Sequence, residues 1–278
     1  MGMGALAARP GSGGCGAVSE HSETFMTVRG CKVRLMRGGA GAPLVFLHGG
    51  GGAGPWQPFM AALAESFDVI VPEHPGFGDS ETPDWLDNIH DMAYFYLEVL
   101  RALDLAKVHL VGHSIGGWIA AELAVRSTAR LASLTLVAAA GLRVNGVAAV
   151  DPFLLPDDER IRAMVHDPGL ADRLVERALA PENLDANFKN RAAVARLSWQ
   201  PRGHDPHLPK WLHLIEAPTL LVWGEHDRMF PEAVGREYAR LIPDSELVVL
   251  PACGHMPNLE KTGDFVGHIR RFTGGIAS

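Results

Sequence analysis

Six short apolar runs, most of them rich in β-branched residues, recur along the chain, and helical patterns separate them. Runs of this length and composition are typical of strands that are buried on both faces of a parallel sheet. The alternation of strand and helix predicts βαβ units in a doubly wound sheet. The six runs are APLVFLHGG, FDVIVPEHPG, AKVHLVGH, LASLTLVAA, APTLLVWGE and SELVVLPA.

Two further strands are predicted ahead of these six. The segment from Thr24 onward, TFMTVRGCKVRLMRGG, has the pattern of an antiparallel hairpin around an Arg29-Gly30 turn. The predicted fold class is therefore α/β, with a mostly parallel, doubly wound sheet of about eight strands and an N-terminal antiparallel hairpin. A chain of 278 residues is long enough to form one large domain of this kind.

One interval interrupts the alternation. Residues 141–214 contain no run that predicts a strand, and amphipathic segments with proline and Asp-Pro breaks predict short helices there. We interpret this interval as a helical cap (lid) inserted between two segments of the α/β core, 24–140 and 215–278. Residues 1–23, which are rich in glycine, alanine and serine, are expected to form a flexible tail.

The third run leads directly into Gly-His-Ser-Ile-Gly at residues 112–116. The pattern G-x-S-x-G between a strand and a helix indicates a serine on a sharp turn, with its hydroxyl raised above the sheet near the helix N-terminus. The small residues Gly112, Gly116 and Gly117 leave room for such a turn. An ordinary N-cap role for Ser114 in a glycine-rich turn is the competing interpretation.

A nucleophilic serine needs a base, and the base needs a carboxylate that orients it. Asp227 follows the fifth run and His255 follows the sixth. Catalytic groups of open α/β sheets gather at these strand ends, so we predict the catalytic residues Ser114, Asp227 and His255. Glu225 is a competing acid, and an Asp227 that merely caps the following helix is the alternative without catalysis.

The glycine-rich segment after the first run, FLHGGGGAGPW, allows backbone N–H groups to approach a substrate oxygen closely. The oxyanion hole is predicted to use the N–H of Ile115, which follows the serine, and the N–H of Gly50, with Gly51 as the alternative. A phosphate-binding loop is excluded, because the chain has neither a G-x-x-x-x-G-K-S/T sequence nor a suitably placed G-x-G-x-x-G.

The charge balance narrows the class of partners. A net charge of −7, without a cluster of lysine and arginine, argues against binding of nucleic acid.

No apolar stretch is long enough to predict a membrane span. Three cysteines without a CxxC pair predict no disulfide framework and no metal site, so a cytoplasmic location without cofactor or metal is expected. A homodimer is left open.

The motifs together resemble the α/β-hydrolase fold superfamily, in its serine esterase and meta-cleavage-product hydrolase branch. The resemblance runs from Thr24 to Gly274, and it rests on LHGGGG, PEHPGFGDSETP, GHSIGG, WGEHDRMFP and CGHMPNLE, in that order. It implies a carboxylesterase that forms an acyl-enzyme on Ser114. The implied substrate is a small apolar molecule, either an ester with a small or medium acyl group or a lactone.

Two alternatives remain at this point. The sequence HGGGGAG resembles the meta-cleavage-product hydrolases, which cleave C–C bonds in ring-fission products, but His113 and Met256 depart from the Asn and Trp usual there. A weakly catalytic ligand receptor on the same fold is the second alternative.

Two arginines of the predicted cap, Arg191 and Arg196, are expected either to bind a substrate carboxylate or to lie on solvated helix faces. Side chains expected either in an apolar pocket wall or in the core are Trp56, Trp118, Phe153, Leu154, Met164, Trp199 and Met229.

Overall fold

The structure is a computed structural model that describes residues 20–276. Its centre is one sheet of eight strands in the order β1-β2-β4-β3-β5-β6-β7-β8. The β1–β2 and β2–β4 pairs are antiparallel and the other pairs are parallel, which confirms the predicted fold class. The strands are β1 (His21–Val28), β2 (Cys31–Gly38), β3 (Ala42–Leu47), β4 (Phe67–Pro72), β5 (Val108–His113), β6 (Leu131–Val137), β7 (Thr219–Gly224) and β8 (Ser245–Leu250).

Helices follow most of the parallel strands. They are α1 (Pro58–Ala64), α2 (Ile89–Ala102), α3 (Ile115–Arg126), α4 (Asp157–Met164), α5 (Pro168–Leu179), α6 (Leu184–Ser198), α7 (Glu232–Leu241), α8 (Pro257–Glu260) and α9 (Thr262–Gly274). Short 3₁₀ helices lie at Pro181–Asn183, Leu208–Lys210 and Leu212–Leu214. Among the helices of residues 20–276, none is both long enough and apolar enough to cross a membrane.

The core consists of two apolar clusters, one on each face of the sheet. Val45 and Leu47 belong to the cluster that contains side chains of α2, α3 and α7. Leu44 and Phe46 belong to the cluster that contains side chains of α1 and α9. Alternate residues of one strand point to opposite faces, so the continuous apolar runs are those of strands covered on both sides. Since helices cover both faces of the sheet, a binding or catalytic site is expected at the carboxyl ends of the parallel strands.

The N-terminal hairpin begins earlier than the predicted tail boundary. Strand β1 starts at His21, which pairs with Gly38, and the hairpin closes where Val28 pairs with Cys31. Residues 21–23 therefore belong to the sheet, although their polar side chains gave no strand pattern. The preceding part of the predicted tail, residues 1–19, lies outside the described residues.

The helical interval leaves the core and returns to it at adjacent points. The Gly141 N–H donates to Gly203 O at 3.1 Å, and the Asp205 N–H donates to Gly141 O at 3.0 Å. Residues beyond this junction pack into the core, where Leu208 is 1% exposed. We call the segment between these contacts, residues 142–204, the helical excursion. It ends earlier than the predicted cap, 141–214. The sequence did not indicate this difference, because the short 3₁₀ helices that follow the junction have isolated apolar residues and no periodic pattern.

Candidate active site

Ser114 lies on the tight turn between β5 and α3, with φ 57° and ψ −120°. A residue with a Cβ rarely adopts a positive φ, and such strain persists only where the surroundings impose it. A Cβ on Gly112 would lie 2.3 Å from Gly116 O, and a Cβ on Gly116 would lie 2.2 Å from Leu47 O. The turn therefore requires these glycines. The Ser114 hydroxyl makes no capping hydrogen bond to α3, so an N-cap role does not account for it.

The structure brings the three predicted catalytic residues into one hydrogen-bonded chain. His255 Nε2 lies 2.9 Å from Ser114 Oγ, and His255 Nδ1 lies 2.9 Å from Asp227 Oδ2. Asp227 Oδ1 accepts the backbone N–H groups of Met229 and Phe230 at 2.8 and 3.0 Å. One carboxylate oxygen is thus fixed by the backbone, and the other faces the imidazole. A serine, an imidazole and a carboxylate in this order are able to generate a nucleophile.

The competing acid, Glu225, has a different neighbour. Its side chain is half-exposed, and its Oε2 accepts the Ala252 N–H at 3.1 Å.

The loop that carries His255 is also bound to the end of α4, where Met164 O accepts the His255 N–H at 2.7 Å. The helical excursion therefore contacts the backbone of the predicted catalytic base.

The two predicted oxyanion-hole donors border the same cavity as the serine. Gly50, Gly51, Ser114 and Ile115 all line it. Ile115 is the first residue of α3, so its N–H has no acceptor within the helix. No acceptor within residues 20–276 receives the Gly50 N–H. Both groups are therefore free to bind an oxygen that forms near the serine hydroxyl.

His113, the residue before the serine, tethers the two catalytic loops. Its Nε2–H donates to His255 O at 2.8 Å. Burial, with a smaller effect of the neighbouring His255, lowers the pKa of His113 to about 3, so the ring is neutral. A Cβ on Gly49 would lie 2.8 Å from His113 Nδ1, so the ring also packs against the glycine loop. No role of this kind was predicted for His113.

Asn190 also makes contacts at the site that the sequence did not indicate. It lies on α6 and is 6% exposed. Its Nδ2 donates to Gly51 O at 3.0 Å, and its Oδ1 accepts the Gly78 N–H at 2.9 Å. One amide thus joins the helical excursion, the glycine loop and the loop after β4. The partners are far apart in sequence, so no local pattern points to this contact.

The cavity above Ser114 has a volume of about 300 Å³ and is mainly apolar. Of the predicted wall residues, Trp56 instead belongs to the core, while Leu154 and Trp199 are 72% and 51% exposed. The four predicted wall residues that do line the cavity are Trp118, Phe153, Met164 and Met229. Other apolar side chains in the wall include Leu142, Val144, Val147, Val194, Phe230 and Val234.

Arginine side chains give the cavity wall an excess of positive charge. The arginines that line the cavity are Arg143, Arg160, Arg191 and Arg202. Two carboxylates offset them in part: Asp151 pairs with Arg202, and a single Asp157 is shared by Arg160 at 2.8 Å and Arg191 at 2.7 Å. Four guanidinium groups are thus offset by two carboxylates, so the cavity wall favours an anionic group.

A separate cluster of His90, Glu122 and Asp205 brings metal-ligand side chains within 4.8 Å of one another. The guanidinium of Arg126 lies among them, at 2.6 Å from Glu122 Oε2 and 2.7 Å from His90 Nδ1. A cation cannot share this position with Arg126, because the two positive charges would repel each other at short range. The cluster is therefore a network of ion pairs and hydrogen bonds beside the junction of the excursion.

A sequence model of the Alpha/beta hydrolase family matches residues 44–267. The chain is similar to the 2-hydroxy-6-oxo-6-(2'-aminophenyl)hexa-2,4-dienoic acid hydrolase of Metapseudomonas resinovorans, with 28% identity over 261 residues that cover 89% of each protein. It is 33% identical over 244 residues to the dihydrolipoyllysine-residue acetyltransferase component of the acetoin cleaving system of Pseudomonas putida. That alignment covers 82% of this chain and spans 63% of the Pseudomonas protein.

Solved structures show the same likeness. The chain superposes on the crystal structure of a bacterial membrane phospholipase A with a TM-score of 0.78 and 27% sequence identity. The superposition covers 92% of this chain and 86% of the phospholipase.

Proposed function

The chain belongs to the alpha/beta hydrolase family, and we propose that it is a serine hydrolase that cleaves small or medium acyl esters or lactones through an acyl-enzyme intermediate. The observation that carries the proposal is the hydrogen-bonded chain from Ser114 Oγ through His255 to Asp227, with both contacts at 2.9 Å. The proposed oxyanion-hole donors, Gly50 and Ile115, border the same cavity. No step of this mechanism needs a cofactor.

Acylation begins when Ser114 Oγ attacks the ester carbonyl carbon and His255 Nε2 accepts the hydroxyl proton. Asp227 keeps the imidazole proton on Nδ1 and stabilises the imidazolium that forms. The carbonyl π electrons move to oxygen, and the resulting oxyanion accepts the Gly50 and Ile115 N–H groups. The C–O bond to the alcohol then breaks, the alcohol oxygen takes the proton from His255, and the acyl group remains on the serine.

Deacylation repeats these steps with water. His255 Nε2 removes a proton from water as its oxygen attacks the acyl carbon, and the second tetrahedral intermediate uses the same donors. Collapse breaks the bond to Ser114 Oγ, which recovers its proton from His255 and releases the carboxylic acid. The apolar wall and the volume of about 300 Å³ support a small or medium acyl group as the bound part of the substrate.

A second candidate function is hydrolysis of a C–C bond in an acidic ring-fission product. The observation that favours it is the excess of arginine over carboxylate in the cavity wall. The similar Metapseudomonas protein is a dienoic acid hydrolase by name, so an acid is part of its substrate. The departures at His113 and Met256 count against this function. We therefore rank ester hydrolysis first.

Direct comparison of the two substrate classes tests this ranking. We expect sustained turnover of p-nitrophenyl butyrate, with a higher kcat/KM than that for a 2-hydroxy-6-oxo-dienoate. A kcat/KM for the dienoate that exceeds the ester value by about 100-fold, which is a difference of roughly 2.7 kcal/mol in barrier, would reverse the ranking. A single burst that stops after one equivalent of product would favour the weakly catalytic receptor.

The arginines of the cavity wall lead to a separate prediction. Arg191→Gln is expected to raise KM for mono-p-nitrophenyl succinate by about 10- to 100-fold, because a charged hydrogen bond contributes roughly 1.5–3 kcal/mol. KM for p-nitrophenyl butyrate, whose acyl group has the same length without the charge, should change little. The measurement is the ratio of the two KM values.

Arg196→Gln is the matched control for this variant. Arg196 lies on the same helix, α6, but it pairs with Asp87 on the outer surface and does not line the cavity. An equal rise of KM for both esters in Arg191→Gln, or the same ratio in Arg196→Gln, would show that Arg191 does not bind the carboxylate.

A further inference from the structure

Two buried histidines lie beneath the glycine loop, and the proposed triad does not use them. His48 follows β3 and His74 follows β4. They are 2% and 0% exposed, and their ring centroids are 3.7 Å apart. Histidine is costly to bury unless its ring nitrogens are hydrogen-bonded, so the partners of these nitrogens define what the pair does.

The hydrogen bonds assign one tautomer to each ring. His48 Nε2 lies 2.9 Å from the backbone nitrogen of His74, which can only donate, so Nε2 carries no proton. The proton is therefore on His48 Nδ1, which donates to Gly49 O at 2.8 Å. His74 Nε2–H donates to His48 O at 2.8 Å, and His74 Nδ1 accepts the hydroxyl of Tyr96.

Both rings are neutral in this environment. Burial is the main effect that lowers the pKa of His48, to about 3, and it also lowers the pKa of His74 well below its ordinary value. Tyr96 is buried as well, at 1% exposure. The donor on His48 Nδ1 is therefore fixed across the pH range in which an imidazole base is active.

The acceptor of that donor belongs to the oxyanion loop. Gly49 O receives His48 Nδ1–H, and it also receives the Gly52 N–H at 3.1 Å. The C=O and N–H of a trans peptide point in opposite directions, so fixing Gly49 C=O fixes the direction of the Gly50 N–H. Gly50 lines the cavity that contains Ser114.

We propose that His48, held in its Nδ1–H tautomer by the backbone N–H of His74, is a positioning residue that aims the Gly50 N–H at the oxyanion. This inference rests on the proposed function, in which Gly50 is an oxyanion donor. A His48 that merely fills the core would affect folding but would not act on the transition state in particular. The two roles differ in how kcat and KM respond to substitution.

Two substitutions separate the ring nitrogens of His48. The amide nitrogen of asparagine occupies a position similar to Nδ1, so His48→Asn keeps a donor for Gly49 O and loses the acceptor for the His74 N–H. The longer glutamine reaches the position of Nε2, so His48→Gln keeps that acceptor and loses the donor. A positioning role predicts that the glutamine variant is the less active of the pair, whatever their order of thermal stability.

The experiment measures kcat and KM for p-nitrophenyl butyrate, the Ki of an aryl trifluoromethyl ketone that mimics the tetrahedral intermediate, and Tm. His48→Gln should lower kcat by about 10- to 100-fold, somewhat less than the loss of a whole oxyanion donor. Its KM should stay within about twofold and its Ki should rise by the same factor as kcat falls. His48→Asn should keep kcat within about fivefold of wild type.

An unchanged kcat in His48→Gln would overturn the inference, and so would equal losses in both variants that follow Tm. If both variants fail to fold, ¹⁵N NMR of histidine-labelled wild-type protein takes their place and should show the proton of His48 on Nδ1. A proton on His48 Nε2 would overturn the inference as well. Turnover that survives Ser114→Ala would instead overturn the proposed function, and the inference with it.

Discussion

Replacement of Ser114 by alanine is expected to lower kcat for p-nitrophenyl butyrate by about 10⁴- to 10⁶-fold, as loss of the nucleophile does in other serine hydrolases. The substitution removes the atom that would form the acyl-enzyme and leaves His255 and Asp227 in place. Water can still be activated by the imidazole, but it lacks the position that the turn gives to Ser114 Oγ. Release of p-nitrophenolate, measured by absorbance, gives the rate.

Folding should be unaffected by this change. Alanine keeps the Cβ, so the backbone strain at φ 57° is the same in both proteins. Within the described residues, the Ser114 hydroxyl has one side-chain partner, His255 Nε2 at 2.9 Å. Thermal unfolding should therefore give a Tm within a few degrees of wild type, since a ΔΔG of about 1 kcal/mol shifts the Tm of a domain this large by roughly 2–4 °C.

Ser198 provides a matched control for the nucleophile. It lines the same cavity and is 5% exposed, but its hydroxyl donates to Val194 O at 2.7 Å, and within residues 20–276 no histidine bonds to it. Ser198→Ala should change kcat by less than about tenfold, because the substitution leaves the proposed nucleophile and its base in place. A large loss there, together with activity in Ser114→Ala, would mean that the wrong serine has been assigned.

The fold and the order of the site loops follow from local signals in the sequence. The run VHLVGH is buried at every position of β5, as continuous β-branched runs predict for a central parallel strand. Because βαβ units place all the carboxyl ends of the parallel strands at one edge, residues after three separate runs were expected to meet. The structure places Ser114, Asp227 and His255 within hydrogen-bond distance at that edge.

What the sequence did not reveal are contacts between segments that carry no shared pattern. In the sequence, His48 and His74 are each a single polar residue shortly after a predicted strand. Tyr96 is one of several aromatic residues in an amphipathic helix. Asn190 is a polar residue on a helix of the excursion, and nothing local indicates that it reaches Gly51 O. Such bonds depend on which loops the finished fold brings together, so they become visible only with the three-dimensional arrangement.

These contacts give the site a common physical logic. The glycine loop needs glycine so that its backbone can come close to the substrate oxygen. Glycine is also conformationally free, so without further contacts the N–H groups of the loop would vary in direction. His48 fixes one peptide of the loop through Gly49 O, and Asn190 fixes another through Gly51 O. Preorganised donors are worth about 2.7–4 kcal/mol each in related reactions, so rigid support for a flexible loop is a direct contribution to rate.

Asp227→Asn is expected to lower kcat by about 10⁴-fold through the wrong tautomer of the base. Asp227 Oδ1 accepts two backbone N–H groups, from Met229 and Phe230. In the asparagine variant the amide oxygen keeps these bonds, so the NH₂ group faces His255 Nδ1. That group can only donate, so Nδ1 loses its proton to Nε2, and Nε2 can no longer accept the proton of Ser114.

A control variant separates the change of tautomer at His255 from a general loss of negative charge. Glu225→Gln removes a carboxylate two positions away that is half-exposed and bonded to the Ala252 N–H, so kcat should stay within about twofold. The Tm of Asp227→Asn should stay near wild type, because the backbone bonds to Oδ1 persist. ¹⁵N-labelled histidine resolves the two tautomers by NMR, and His255 should carry its proton on Nδ1 in wild type and on Nε2 in Asp227→Asn. A 10⁴-fold loss with Nδ1 still protonated would contradict this mechanism, and a loss below about tenfold would contradict the role of Asp227 itself.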